Sequence, residues 1–424
     1  MHKRTRKYLY LACTVTWISC SNHPSGLLQE ISSEKDTLVN LSTDARGRLA
    51  TANSYLVPCR KSGRFKFNAT VMGNGAVTPQ MVTVQRWDEG RLVRKTPAIV
   101  PSELHPFSAF LIWETGRKGS VIKEGSVELK NGFVYFITSE ETEPGNALIG
   151  VADCRGNLLW SWHIWRTDYN PDKEYRMYEV QKVTSASRIN VTKVWLKLMQ
   201  FNLGSLPDSQ GEACATNHGL FYQWGRKDPF LQGKTVKVTL PIELNRKQSM
   251  AYATENPTHL ILNNPADVTG SYDWVNLADA SKRADNLWGT RQGRVTVPFD
   301  NIKTKSIYDP CPAGWQVPFQ DYNVLLKQVS TNAAIQYRQP VSGTLCDNYW
   351  KNYFTDYIVS KYYIDGISGQ LVRNEKNSGT WSATTCNNGA YVGNYLNGEG
   401  DVVYSFFHNS RASALPVRCM KEYP

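Results

Sequence analysis

Leu158-Leu159-Trp160-Ser161-Trp162-His163-Ile164-Trp165 is the stretch on which the fold turns. Side chains of a strand alternate between faces, so Trp160, Trp162 and Ile164 share one side while Ser161, His163 and Trp165 share the other. Rings placed this way fill a core between sheets or between domains, or they form an exposed platform for a glycan; filling is the commoner use. Working outward, Ser54-Tyr55-Leu56-Val57, Arg64-Phe65-Lys66-Phe67, Phe110-Leu111-Ile112-Trp113, Phe133-Val134-Tyr135-Phe136-Ile137 and Ala147-Leu148-Ile149-Gly150-Val151 are further short β-type segments. Gly73-Asn74-Gly75, Lys130-Asn131-Gly132 and Pro144-Gly145-Asn146 punctuate them as turns, and no helical period intervenes. The pattern predicts a β-sandwich over 46–170.

Asn170-Pro171-Asp172-Lys173-Glu174 is a polar break, read as the start of a linker over 171–190. A second domain then runs over 191–424. It opens on strand-like Lys193-Val194-Trp195-Leu196-Lys197-Leu198 and has one helix candidate after Pro318, where Asp321, Tyr322, Val324, Leu325 and Leu326 give a short amphipathic pattern. The rest reads as short strands and long loops. The expected fold class is therefore mainly β: a sandwich followed by an α+β, loop-rich domain.

The N-terminus has the parts of a secretory signal over 1–19, with a basic Lys3-Arg4-Thr5-Arg6-Lys7 region and a short apolar run from Tyr8 to Ile18. Cys20 after Ser19 suits a bacterial lipoprotein signal, in which the cysteine is acylated, although Trp17 stands where Leu is usual; ordinary cleavage with Cys20 a plain thiol is the alternative. Residues 20–45 are polar and patternless, a flexible tether. The Arg46-Gly47-Arg48 step at its end is either a basic linker or a processing site for a trypsin-like protease.

Composition bounds the rest. The 424 residues, 41% hydrophobic and 20% charged, are globular rather than disordered. Four signal-region cations account for part of the formal +11, and the remaining +7 is spread along the chain, so no nucleic-acid partner is expected. Of nine cysteines, Cys59, Cys154, Cys214, Cys311, Cys346, Cys386 and Cys419 follow Cys20, an odd number at wide spacing that suits disulfides better than zinc. The Asp309-Pro310-Cys311-Pro312-Ala313-Gly314-Trp315-Gln316-Val317-Pro318 frame, closed by Pro416-Val417-Arg418-Cys419, suggests one staple. Connectivity is not fixed by sequence; Cys311 with Cys419 and Cys346 with Cys386 are the pairs expected first.

Six segments occur in order: Gly156 to Trp165, Asn202-Leu203-Gly204, Gly219 to Phe230, the Cys311 frame, Gly379-Thr380-Trp381-Ser382-Ala383-Thr384, and Val417-Arg418-Cys419. Together they resemble the fimbrillin-family surface lipoproteins of Bacteroidetes that carry a Fibrobacter succinogenes major paralogous domain, over roughly Ser54 to Glu422. Met199-Gln200-Phe201 and Trp381-Ser382-Ala383 depart from the usual Met-Asp-Arg and Trp-Ser-Ser. The resemblance implies an outer-membrane, lipid-anchored protein with a fimbrillin-like sandwich and a C-type-lectin-like second domain, facing the surface or the periplasm, and it carries over no catalytic residue. It implies fimbrial subunits, or a host or bacterial surface protein or glycan, as partners, besides the membrane reached through the anchor.

Residue chemistry points the same way. His23, His105, His163, His218, His259 and His408 lie in no metalloprotease or nucleophile-elbow context, so no catalytic residue, metal or cofactor is expected. Gln339-Pro340-Val341 and Trp381-Ser382-Ala383 do not offer the paired carbonyl and carboxylate ligands that a calcium-dependent lectin needs. Arg226-Lys227-Asp228 is either a self-neutralised turn or an exposed anion site. The leading expectation is a non-enzymatic adhesin or accessory tip subunit of fimbriae. A glycan-binding module is the alternative, with Trp381, Tyr391 and Tyr395 on an exposed aromatic strip, and an envelope hydrolase is the third.

Overall fold

The computed structural model describes residues 37–75, 85–88, 91–95, 99–183, 191–206, 219–230, 242–244, 250–263, 273–274, 285–291, 303–318, 362–373, 379–386, 389–393, 395–396, 402–403 and 408–422. The protein is mainly β, and Thr37 to Pro424 belong to one compact unit. Cys20, the tether up to Asp36, the helix candidate after Pro318, Cys214 and Cys346 lie outside the described residues.

The first region contains β1 (Val39–Asn40), β2 (Ser54–Val57), β3 (Arg64–Asn68), β4 (Gln85–Asp88), β5 (Arg91–Lys95), β6 (Ser108–Glu114), β7 (Glu128–Lys130), β8 (Phe133–Ile137), β9 (Gly145–Ala152) and β10 (Leu158–Arg166). One sheet has the order β1-β3-β8-β7, the second β2-β10-β9-β6, and β4 with β5 forms a separate hairpin. Alternation builds the space between the two larger sheets. Phe65 and Phe67 of β3, Val134 and Phe136 of β8, and Trp160, Trp162 and Ile164 of β10 are buried in one shared core. Phe67 packs on Trp162 with ring centroids 4.9 Å apart, an offset aromatic contact that adds to plain area burial. The expected two-sheet packing is thus built from one face of β10, and the glycan-platform reading of that face falls away.

Within 171–190, expected as a linker, Tyr175–Val183 is a strand. The polar start of that span is a tight turn, in which the Asn170 carbonyl accepts from the Lys173 and Glu174 amides, and it feeds β11 (Tyr175–Val183), paired antiparallel with β12 (Val191–Met199). That sheet continues through Met420–Lys421 to Trp315–Gln316. A further sheet joins β13 (Phe221–Gln223) to Ala414–Pro416, Tyr362–Ile364 and Leu371–Arg373. The helix α1 (Met250–Glu255) has six residues.

The Cys311 frame folds around its own polar groups. Asp309 Oδ1 accepts from the Cys311 amide at 3.0 Å and Oδ2 from the Val317 amide at 3.1 Å. Gly314 sits at φ +75°, a left-handed turn that a side chain would strain. Lys305 Nζ donates to the carbonyls of Cys311, Pro312 and Trp315 at 2.9, 3.0 and 2.6 Å. The expected staple is present: Cys311 is bonded to Cys419, Cα atoms 5.9 Å apart and 108 residues apart in sequence.

Candidate functional site

The outer face of β10 carries a convergence of buried polar side chains. Ser161 Oγ donates to Asp228 Oδ1 at 2.5 Å. Lys227 Nζ donates to Ser161 Oγ and to Asp228 Oδ1, both at 2.6 Å, and lies 4.5 Å above the Trp160 ring. Two strand positions further on, His163 Nε2 is 2.9 Å from Asn146 Oδ1 and Nδ1 is 3.2 Å from Ser54 Oγ. The Asn146 amide nitrogen donates to Gly204 O, so its oxygen faces the imidazole and Nε2 carries the ring proton. Ser54 Oγ donates to Pro310 O at 2.7 Å, and Trp165 Nε1 donates to Ser205 O at 3.0 Å. Gly204 itself, at φ +73°, would drive a Cβ to within 2.6 Å of Leu220 and 2.9 Å of Asn146 Oδ1.

These bonds join residues before 170 to residues after 200. Asn53 extends the seam by donating to Ile307 O at 2.6 Å and Asp309 O at 2.9 Å while accepting from Trp160 Nε1 at 3.0 Å. The seam is dry: Ser161 and His163 are each 1% exposed, Lys227 3% and Asp228 2%. Burial pulls the Lys227 ammonium below its ordinary range, with the Asp228 carboxylate opposing. Burial likewise pushes His163 down to about 3, and it holds the Tyr222 hydroxyl well above its usual range, with the Asp228 charge adding to the effect.

A serine between a lysine and an aspartate invites comparison with nucleophile and base pairs. Here the base that Ser161 Oγ meets is the Asp228 carboxylate, at 2.5 Å, and the Lys227 ammonium, a donor to three acceptors counting Ser161 O at 3.2 Å, holds the same carboxylate oxygen within a buried seam. The cluster acts as a clamp of opposite charges on the outer face of β10. Of the two readings of Arg226-Lys227-Asp228, the exposed anion site is corrected, because all three are nearly fully buried. Arg226 instead caps α1, donating to Ala253 O at 3.1 Å and Asn256 O at 3.0 Å, where a helix end leaves carbonyls unsatisfied.

Trp381, expected on an exposed aromatic strip, is 0% exposed. Its indole donates to Tyr222 O at 2.6 Å, and it belongs to the core of the second region. The reason is that carbonyls there need donors and indoles supply them: Trp224 donates to Ser382 O in the strand Thr380–Cys386, and in the turn after β13 Trp274 donates to Trp224 O and Trp288 to Arg226 O. Tyr391 pairs in backbone register with His408 and Tyr395 with Val403, and their side chains, like that of Cys386, lie outside the described part. Among the described residues no three of His, Cys, Asp or Glu are placed to hold a metal, and no helix is long and apolar enough to cross a membrane.

The described surface is simpler. β6 is the terminal strand of its sheet; its Phe110 is 40% exposed and Phe107, just before the strand, 72%. At an edge of the other sheet, β1 is followed by the exposed Arg46-Gly47-Arg48 turn, closed by Asp44 Oδ1 accepting from the amides of Arg46 and Arg48. Comparison with protein-family models, with curated proteins and with solved structures finds no match for this chain.

Proposed function

We propose that this protein is an envelope-anchored adhesin or accessory subunit of a fimbrium, tethered at the outer membrane through a lipid on Cys20 and acting by surface contact. The observation that carries the reading is where the chemistry sits. Groups with catalytic potential, Ser161, His163, Lys227 and Asp228, are spent on a dry internal clamp. What faces outward is a sandwich whose terminal strand β6 presents Phe110, with Phe107 exposed just before it. A terminal strand with apolar side chains is suited to pairing with an added strand from another protein.

Cys20→Ala in the producing cell tests the anchor. The expected result is a shift of the chain from the membrane pellet to the soluble fraction, together with loss from material sheared off the cell surface. Unchanged processing and unchanged fractionation would sink the anchored reading.

A further inference from the structure

We propose that the outer face of the β1-β3-β8-β7 sheet is a binding face for an anionic oligosaccharide, a ligand class to which the anchor and the fimbrial reading are indifferent. Because Phe65, Phe67, Val134 and Phe136 point into the core, strand alternation turns Arg64, Lys66, Asn68, Phe133, Tyr135 and Ile137 outward. Register aligns them in rows: Asn40, Lys66, Tyr135 and Glu128 in one, Asn68, Phe133 and Lys130 in the next. The solvated face of an antiparallel sheet is ordinarily polar. Here two rings sit two residues apart on the central strand β8, about 7 Å along it.

Charge surrounds the rings. Lys66 Nζ lies 4.8 Å from the Phe133 centroid and 5.7 Å from the Tyr135 centroid. On the same half some exposed cations are paired with carboxylates, Arg60 with Asp168, Arg117 with Glu141, Lys118 with Glu124 and Lys123 with Glu140, and others, Arg46, Lys61 and Arg155, have no such partner among the described residues. Among the described residues Arg64, Lys66 and Lys130 have none, and Glu128 is the one acidic group in the two rows. Asn68 adds a donor, since its Oδ1 is taken by the Thr70 amide and hydroxyl while its amide nitrogen stays available.

That combination fits a sugar ring better than a protein or a membrane. A pyranose lays its C–H face on an aromatic ring, and a carboxylate or sulfate on it then meets the ammonium groups beside the ring. The flat, half-buried apolar strip is confined to Phe133, Tyr135 and Ile137, far short of the ~800 Å² per partner of a stable dimer.

Calorimetric titration of the purified full chain with oligogalacturonate, heparin oligosaccharide and neutral dextran oligomer, at physiological ionic strength, tests the assignment; the two acidic probes separate carboxylate from sulfate. Binding of at least one acidic probe and none of dextran is expected. Lys66→Gln with Lys130→Gln should weaken it about tenfold, and Tyr135→Thr, which keeps strand propensity, about fivefold. Arg155→Gln with Lys173→Gln, the same charge removed at two exposed turns away from this sheet, should leave affinity unchanged. The proposal is overturned if neither acidic probe binds, if dextran binds equally, or if the Arg155 and Lys173 control weakens binding as much. It is overturned too if phosphatidylglycerol vesicles bind with the same dependence on the lysines and Tyr135→Thr changes nothing.

Discussion

The two halves of the molecule satisfy their backbones by different means. In the sandwich, β9 is hydrogen-bonded on both sides, to β6 and β10, and its eight residues are all buried; the ladder itself meets the need of every buried amide for a partner. Beyond residue 200 the described strands are mostly two or three residues long. There the carbonyls are met by side chains: indoles of Trp224, Trp274, Trp288 and Trp381, the Arg226 guanidinium and the Lys305 ammonium. A ladder is local and cooperative, whereas a side-chain cap works only if the whole loop is already in place. The second half should therefore depend on cross-links that the first does without.

The largest expected effect follows from that dependence. Removing the Cys311–Cys419 bond, which closes 108 residues, by Cys311→Ser with Cys419→Ser should cost about 4 to 5 kcal/mol through the freed unfolded chain. Hydrogen exchange should report the loss first at Leu203, Trp224 and Trp315, with the β9 and β10 amides staying protected. Equal loss of protection in both halves would break the comparison.

Next comes the clamp between them. Lys227→Met leaves the Asp228 carboxylate buried with Ser161 as its one remaining hydrogen-bond partner among the described residues, and urea unfolding should register about 3 to 5 kcal/mol of destabilisation. Adding Asp228→Leu should recover much of that, since an apolar pair of similar volume avoids the stranded charge. A double variant as weak as the single one would assign the loss to packing instead.

This clamp also marks where the sequence stops being legible. The alternation of Trp160 to Trp165 and the polar frame around Cys311 are local patterns, and both predict what their own residues do. Arg226-Lys227-Asp228 and Trp381 carry no local sign of burial: three successive charges look like surface, and a tryptophan between Thr380 and Ser382 looks free. Their environment is set by partners far along the chain, Ser161 at a separation of 66 residues and Tyr222 at 159. The span from 171 to 190 misled for a related reason, because a turn that opens a strand has the same polar composition as one that opens a linker.

Acid should loosen the seam by degrees. Burial holds His163 neutral, its pKa moved from the ordinary 6.5 down to about 3, so between those values the unfolded chain binds a proton that the folded one refuses. The stability contributed is fully present above about pH 6.5 and declines as the pH falls toward 3, at up to about 1.4 kcal/mol per pH unit. His163→Gln should flatten the pH dependence of thermal unfolding across that window. A slope that stays unchanged would place the proton uptake on other groups.

The smallest effect is the sharpest test of how the halves differ, because it compares one chemical change at two buried tryptophans. Trp381→Phe removes an indole donor that serves Tyr222 O, while Trp162→Phe removes one that has no acceptor among the described residues. Both lose similar ring area and leave similar cavities in 0% exposed sites. The hydrogen-bond difference should then make the Trp381 change costlier by about 1 kcal/mol, the net worth of a buried bond whose acceptor is left behind. Chemical denaturation of the two variants measures the gap directly. If Trp162→Phe proves equal or worse, the indole donors are incidental to the loops they touch, and shape alone holds the second half together.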